Sequence, residues 1–315
     1  MKIGMRVATV LAALAGQPLR MSSVAAPETD PDSIVIAPDE RGQIKPGRGG
    51  RSYKGVAYAE HSSKLRMDIL TPPGSGPHPL VLYLPGGGFV AARRQMAAKQ
   101  RRYVAEAGFV VASIDYRTTR VGATYREGLM DVATALEFLR SHAGEYGIDP
   151  TRVAVWGESA GGYLASMAAT EPEYKINAAV DFFGASDLTS VAAGFDAESV
   201  AAHTGPKSAV PAYVLGPGRS AADHPEEFRQ ADPANRATAE TPPFLLLHGD
   251  DDRMIAPAQT ARIHQALRAA GVPSIRYVVK GAGHGALSDT PDVWTSTRLM
   301  DRVVNFLGTQ LAERG

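Results

Sequence analysis

The clearest chemical signal in the sequence is the pentapeptide G-E-S-A-G at residues 157–161. It follows the apolar run 153–156 and precedes a run of small and apolar residues with helical character, 163–169. A serine between glycines at a strand-to-helix turn stands exposed at the start of the helix, where it can attack a carbonyl carbon. We therefore predict that Ser159 is a nucleophile. The alternative is an ordinary serine at a helix N-terminus.

A serine hydroxyl needs a base that takes its proton and a third group that orients the base. Among the 8 histidines, His284 is the best candidate because it lies in a glycine-rich loop, G-A-G-H-G, directly after the last predicted strand. His248 ends the preceding strand and is interpreted as a hydrogen-bonded structural histidine. The acid is one of three consecutive residues after that strand, and the residues alone do not choose among Asp250, Asp251 and Asp252.

Backbone N–H groups must stabilise the negative charge that develops on the carbonyl oxygen when a serine attacks. The segment P-G-G-G-F at residues 85–89 follows the apolar run 80–84, and its glycines let the backbone approach such an oxygen closely. We predict that Gly87, Gly88 and Ala160, the residue after the nucleophile, supply these N–H groups.

Short apolar runs separated by helical patterns must position these residues. Six runs without sustained alternation predict strands buried on both faces of a parallel sheet: 80–84, 109–114, 153–156, 178–183, 244–247 and 275–279. Residues 65–69 alternate between polar and apolar types, which predicts a strand with one solvated face. The alternation of strands and helices predicts one α/β domain over residues 52–315, with a mostly parallel, doubly wound sheet.

Helical stripes and stop signals complete this outline. Apolar residues fall on one helical face in 129–139 and in 300–311, and a helix after Pro257 should end near Gly271. The segment 184–243 lacks the alternation and predicts a small cap. It is rich in small and polar residues, which predicts a small, partly polar pocket.

The first 51 residues have a different composition. Residues 1–26 show early basic residues, an apolar run and then small residues, which predicts a signal peptide and export to the periplasm or the medium. A cytoplasmic location is the alternative. Residues 27–51 are rich in Pro, Gly, Asp and Arg without periodicity and predict a disordered linker.

The overall composition excludes several classes of protein. The 33 Lys and Arg residues balance 33 Asp and Glu residues, so no chain-wide charge attracts nucleic acid or an anionic membrane. The absence of cysteine excludes disulfides, thiolate metal sites and a cysteine nucleophile. The spacing of His and Asp residues does not favour a metal site, and the apolar runs are too short to span a membrane.

Taken together, the motifs resemble the α/β-hydrolase carboxylesterases of the hormone-sensitive lipase and bacterial feruloyl and acetyl-xylan esterase-like groups, over about residues 52–311. The residues P-G-G-G at 85–88 are similar to the H-G-G-G oxyanion loop of these esterases, and D-Y-R at 115–117 to their D-Y-R element. The residues H-G-D-D-D at 248–252 are similar to H-G-x-x-D, which implies that Asp252 is the acid. Pro85 departs from the family, and because proline lacks an N–H, a different network must hold the loop.

The residues and the resemblance together predict a serine carboxylesterase that works through an acyl-enzyme and needs no cofactor. The small, partly polar pocket predicted from segment 184–243 favours short-chain acyl or aryl esters. Phe89, Trp156 and Tyr163 could line the pocket for such a small-molecule ester, although aromatic residues in these elements can also be core residues. The same triad serves amidases, arylformamidases and lactonases. A binding protein on a hydrolase fold is the non-enzymatic alternative.

Overall fold

A large β-sheet positions the residues singled out above. A computed structural model describes residues 30–39, 42–47, 49–59 and 64–313, and in this part of the chain the sheet has nine strands. They are β1 (Ile34–Ile36), β2 (Ser52–Ala57), β3 (Arg66–Leu70), β4 (His78–Leu84), β5 (Val110–Ile114), β6 (Ile148–Glu158), β7 (Ala178–Phe182), β8 (Phe244–Gly249) and β9 (Ser274–Val279). Their order is β1-β9-β8-β7-β6-β4-β5-β3-β2. β3 pairs antiparallel with both β5 and β2, and all other neighbours pair in parallel.

Helices cover both faces of this sheet. They are α1 (Ala98–Glu106), α2 (Tyr125–Ser141), α3 (Ala143–Tyr146), α4 (Ala160–Ala169), α5 (Ala197–Thr204), α6 (Ala209–Leu215), α7 (Pro225–Gln230), α8 (Pro233–Arg236), α9 (Ala258–Ala269) and α10 (Thr297–Gln310). Leu80 and Leu82 of β4 pack into a core with α2, α4 and α9, whereas Val81 and Tyr83 pack into a second core with α1 and α10. Strands buried on both faces need continuous apolar sequence, as these have.

The predicted fold class is therefore confirmed. The six predicted parallel strands correspond to β4 through β9, and the two apolar stripes correspond to α2 and α10. The helix predicted after Pro257 is α9, which ends at Ala269, just before Gly271.

The solvated face predicted for residues 65–69 is wrong. These residues do belong to a strand, β3, but only Arg66 at its start is exposed. The polar residue that should face water, Asp68, accepts hydrogen bonds from Arg94 Nε and from the Gly55 N–H, both at 2.8 Å. The guanidinium of Arg94 and the backbone N–H of Gly55 thus replace the water molecules that would otherwise hydrate this carboxylate. A polar residue can therefore lie in a strand that is buried on both faces.

The disordered linker predicted for residues 27–51 is also wrong for the part that the structure describes. β1 pairs in parallel with β9 and extends the sheet by one strand. Ile36 and Ile44 are buried in the core beside α10, and the Ile44 N–H donates to the carbonyl oxygen of Thr295. The apolar strand β1 and the single buried Ile44 thus pack onto the domain, although the sequence around them is polar and rich in glycine. The predicted signal peptide at 1–26 lies outside the described residues.

The segment 184–243 folds into α5 to α8 and short turns between them. The last of these helices, α8, packs on both α4 and α9, so the segment lies on the face of the sheet that carries α2, α4 and α9. Within the described ranges, no helix is long and apolar enough to cross a membrane.

Candidate active site

Ser159 lies at a sharp turn between β6 and α4. Its backbone angles, φ 56° and ψ −124°, fall in a region that residues other than glycine rarely adopt. The turn is held on both sides, because the Ser159 N–H donates to the Phe182 carbonyl at 2.9 Å and the Tyr163 N–H donates to the Ser159 carbonyl at 3.0 Å. The surrounding structure thus fixes a strained backbone that presents this side chain at the end of the sheet.

Glycines on either side of Ser159 are required by close backbone approaches. A Cβ atom at Gly157 would lie 2.1 Å from the carbonyl oxygen of Gly161, and one at Gly161 would lie 2.0 Å from that of Leu84. Any side chain at either position would force the strand and the helix apart. The turn therefore needs both glycines of the G-x-S-x-G pattern.

The structure brings Ser159, His284 and Asp252 together at the carboxyl edge of the sheet. Ser159 Oγ lies 2.8 Å from Nε2 of His284, and Nδ1 of His284 lies 2.7 Å from Oδ2 of Asp252. Because a carboxylate only accepts, Nδ1 carries the proton and Nε2 can accept from the serine hydroxyl. The ring of Phe183 packs against His284, with centroids 4.7 Å apart. This arrangement can move a proton from the serine to the imidazole.

Asp252 is fully buried and held as a carboxylate. Its Oδ1 atom accepts the backbone N–H groups of Met254 at 2.9 Å and Ile255 at 3.0 Å. Burial alone would raise the pKa of Asp252, but His284 and the hydrogen bonds from the His248 and His284 rings outweigh burial and hold this pKa well below its usual range. The buried group therefore keeps the negative charge that can orient His284.

The two neighbouring aspartates have other roles. Asp250 accepts a hydrogen bond from the Gly281 N–H, at the start of the loop that carries His284. Asp251 pairs with Arg253 at 3.1 Å on the surface. Neither carboxylate is bonded to the His284 ring in the structure.

The glycine loop after β4 lies against Ser159. A Cβ atom at Gly86 would be 3.2 Å from the Cβ of Ser159, and Gly87 and Gly88 have φ values of 154° and 61°. Ala160 is the first residue of α4, so its N–H is among those that have no acceptor within the helix. The three residues predicted to bind an oxyanion thus come from two elements that meet beside Ser159.

A tyrosine supports the loop at the position where proline replaces histidine. The Tyr116 hydroxyl donates to the Pro85 carbonyl at 2.8 Å within the protein interior. On either side of Tyr116, Asp115 pairs with Arg94 at 2.5 Å and Arg117 pairs with Asp131 at 2.7 Å. The D-Y-R element therefore anchors the glycine loop from the end of β5.

Two of the three predicted pocket residues belong to one aromatic cluster. Phe89, which has a positive φ of 62°, stacks on Tyr213 of α6 at 4.9 Å and meets Tyr163 edge-on at 5.6 Å. The Tyr163 hydroxyl donates to the Ala231 carbonyl at 2.8 Å. Tyr213, which sequence reasoning missed, connects the segment 184–243 to the glycine loop. The pocket-lining role of Phe89 and Tyr163 stays a prediction.

The third predicted pocket residue, Trp156, lies in the opposite core. It packs between Tyr83 at 4.8 Å and Phe182 at 5.7 Å and is fully buried. Its pocket-lining role is likewise untested.

A buried acid that the sequence did not single out lies beneath the turn. Asp181 of β7 accepts from Ser166 Oγ at 2.9 Å and from the Gly184 N–H at 2.8 Å. Burial raises its pKa from 3.8 to about 7, since these two hydrogen bonds only partly offset the desolvation. The folded protein therefore holds a proton at this site that the unfolded chain would release.

We expect Asp181→Asn to change how stability depends on pH. Between pH 4 and 7 the folded state binds more protons than the unfolded state, so Asp181 makes the parent less stable as the pH rises, by at most about 1.4 kcal/mol per pH unit. Asparagine does not titrate and removes this contribution. Urea unfolding of both proteins at pH 5 and pH 7 measures it. If the difference in unfolding free energy between parent and variant were the same at pH 5 and at pH 7, Asp181 would not be protonated as assigned.

Among the described residues, no group of three or more His, Asp and Glu side chains is arranged to hold a metal ion.

Comparison with known proteins places this site in a family context. The BD-FAE family model matches residues 67–267, more than half of the chain. The probable carboxylic ester hydrolase LipM of Mycobacterium tuberculosis is 30% identical over 223 residues, which cover 66% of this chain and 49% of LipM. The esterase LipC of the same organism is 30% identical over 282 residues, covering 81% of this chain and 66% of LipC. The chain thus spans about half to two thirds of the length of these curated relatives.

Solved structures share the fold. A truncated carbohydrate esterase from gut microbiota superimposes with a TM-score of 0.71 at 23% identity, covering 87% of this chain and all (100%) of that one. The thermophilic esterase Est2 of Thermogutta terrifontis gives a TM-score of 0.65 at 22% identity, covering 85% of this chain and 95% of that one. The resemblance inferred from the motifs is confirmed: the chain belongs to the BD-FAE family and has the α/β-hydrolase fold.

Proposed function

We propose that the protein is a serine carboxylesterase that works through an acyl-enzyme. The observation that carries this proposal is the pair of contacts from Ser159 Oγ to His284 and from His284 to Asp252, at 2.8 and 2.7 Å, with the serine on a strained turn beside a glycine loop. Relatives that are named esterases support the same activity.

In the proposed reaction, Ser159 Oγ attacks the ester carbonyl carbon while its proton passes to Nε2 of His284. The N–H groups of Gly87, Gly88 and Ala160 stabilise the negative oxygen that forms. His284 then gives the proton to the departing alcohol, leaving an acyl group on the serine. A water molecule then attacks the acyl carbon while its proton passes to Nε2 of His284. The bond from this carbon to Ser159 Oγ breaks, His284 returns the proton to Oγ, and the acid is released.

We further propose that the acyl group is short. The segment 184–243 has few large apolar side chains, and Tyr213 from this segment closes tightly onto Phe89, beside the glycine loop. Each acyl methylene that finds an apolar wall contributes about 0.8 kcal/mol, but only while the pocket has room.

We expect kcat/KM on p-nitrophenyl esters to be highest between acetyl and hexanoyl and to fall for decanoyl and longer chains. Initial rates on a graded ester series at concentrations below micelle formation measure this, and the matching p-nitroanilides and a set of lactones test the alternative leaving groups. A rate that keeps rising through dodecanoyl would contradict the short pocket. Faster cleavage of anilides or lactones than of esters would favour the amidase or lactonase alternative.

A further inference from the structure

A second histidine contacts the acid of the site from behind. His248, at the end of β8, is fully buried, and its Nε2 lies 3.3 Å from Oδ2 of Asp252 and 3.0 Å from the Ile255 carbonyl oxygen. Oδ2 is the same oxygen that accepts from Nδ1 of His284. One carboxylate oxygen therefore lies between two imidazole rings.

The surroundings of His248 determine its tautomer. A carbonyl oxygen only accepts, so Nε2 of His248 carries the proton and Nδ1 must accept. At 2.9 Å from Nδ1 lies the Thr260 hydroxyl, which is itself 3.0 Å from Nε of Arg276. The Arg276 N–H can only donate to the hydroxyl oxygen, so the hydroxyl proton goes either to Nδ1 of His248 or to the Pro257 carbonyl oxygen at 3.3 Å. The shorter contact, 2.9 Å, and the need of Nδ1 for a donor favour His248.

His248 is also held neutral. Burial lowers the pKa of His248, and the hydrogen bond that the ring donates to Asp252, together with the negative charge of Asp252, only partly opposes this effect. The single Nε2–H of the neutral ring is shared between the Ile255 carbonyl oxygen at 3.0 Å and Oδ2 of Asp252 at 3.3 Å, and a neutral ring does not cancel the negative charge that His284 needs. With the two backbone N–H groups on Oδ1 and the Nδ1–H of His284 on Oδ2, this contact brings the donors around the buried carboxylate to four.

We propose that His248 is a positioning residue for the hydrolysis proposed above, whose Nε2–H fixes Oδ2 of Asp252 in line with Nδ1 of His284. Thr260 and Arg276 act one step further back, since the Thr260 hydroxyl, positioned by Arg276, supports the tautomer of His248 by donating to Nδ1. This inference rests on the proposed function for its kinetic consequences, but the contact itself can be tested without turnover.

The variants separate the hydrogen bond from the packing. His248→Leu removes the donor, and we expect kcat to fall about 10- to 100-fold with KM within twofold, as for loss of a hydrogen bond to a charged group. His248→Gln places an amide N–H near the position of Nε2 and should restore most of the rate. Thr260→Val removes the hydroxyl that donates to Nδ1 of His248 and should lower kcat by a smaller factor. This variant tests the proposal if His248→Leu does not fold.

A matched control is available on the neighbouring helix. His264 of α9 is also buried and bonds to Ser274 Oγ at 2.8 Å, but it has no contact with Asp252. His264→Leu should therefore leave kcat within about threefold of the parent once the fraction of folded protein is taken into account. A loss in this control equal to that of His248→Leu would reduce the role of His248 to packing and overturn the proposal.

The pH profile distinguishes positioning from simple destabilisation. Without the His248 donor, Asp252 stabilises the imidazolium of His284 more strongly, so the acidic limb of kcat/KM against pH should move to higher pH by about half a unit to one unit. The other charged groups that face this network are Glu158 at the end of β6, Arg276 on β9 and Asp30, which lies near Arg276, and none of them is changed. An unmoved limb in folded His248→Leu and Thr260→Val would overturn the proposal.

A proton NMR experiment tests the contact independently of activity. The Nδ1 proton shared by His284 and Asp252 should give a low-field resonance that disappears in His284→Ala. In His248→Leu it should move further downfield, because Asp252 becomes a stronger acceptor. If the resonance moves downfield in His248→Leu but the parent hydrolyses no ester, the proposed function fails and the positioning role stands. If the resonance is identical in parent and variant, the positioning role fails whatever the activity.

Discussion

Replacing Ser159 with alanine should lower kcat for ester hydrolysis by about 10⁴- to 10⁶-fold while leaving the fold intact. The side chain lies at the end of the sheet and its hydroxyl bonds to His284, so truncation removes the nucleophile without opening a cavity in either core. The residual rate would come from the oxyanion groups and from substrate binding alone.

Two measurements check this expectation. Circular dichroism and the midpoint of urea unfolding should match the parent within error, and a fluorophosphonate probe should label the parent at Ser159 and leave the variant unlabelled. Hydrolysis by Ser159→Ala within tenfold of the parent would mean that another group attacks the ester.

The second large effect should come from Asp252→Asn, with kcat reduced about 10⁴-fold. The N–H groups of Met254 and Ile255 both donate to Oδ1, so the amide oxygen must stay there and the amide nitrogen must take the place of Oδ2. A donor would then face Nδ1 of His284. The imidazole must respond by moving its proton to Nε2, where it can no longer accept from the serine.

The neighbouring aspartates provide controls for this variant. Asp251→Asn breaks only a surface ion pair with Arg253, so its activity should stay close to that of the parent. Asp250→Asn alters the contact with Gly281 in the loop of His284 and should retain most activity, because the amide oxygen can still accept. If Asp250→Asn were the most impaired of the three, the assignment of the acid would be incorrect.

Local patterns predicted the parallel core and the strand-to-helix turn that carries Ser159, because both depend on short stretches of sequence. A strand covered on two faces requires a continuous apolar run, and such runs marked β4 to β9. The turn at Ser159 requires glycines at fixed neighbouring positions, since backbone atoms pass within about 2 Å of where a Cβ would be.

The choice among three aspartates was beyond the local pattern. All three follow the same strand, and only the family resemblance selected Asp252. In the structure the distinction arises from the turn after β8, whose N–H groups at Met254 and Ile255 meet one carboxylate and not the others. The contacts behind that acid were missed for the same reason. They involve His248, Thr260 and Arg276, which belong to three different elements, and their spacing in the sequence does not indicate that they meet.

Pairing between distant segments explains the two errors in the fold. β1 is only three residues long and is stabilised by β9, which lies more than 200 positions later in the chain. Asp68 avoids water because Arg94 reaches it from a loop. Neither partner can be read from the local alternation of polar and apolar residues.

Because β1 is an edge strand of the sheet, it limits how far the N-terminus can be truncated. A chain trimmed to Ser52, where the polar stretch ends, would uncover the main-chain N–H and C=O groups of β9 that β1 now satisfies. It would also empty the core position of Ile44 and remove Ser33, which accepts a hydrogen bond from Arg276 at 2.6 Å. An uncovered strand with free hydrogen-bonding groups is a template for pairing with other chains. The smallest form of this protein that keeps β9 covered therefore includes residues upstream of the segment that carries the candidate site, and we expect trimming them to cause self-association before it affects activity.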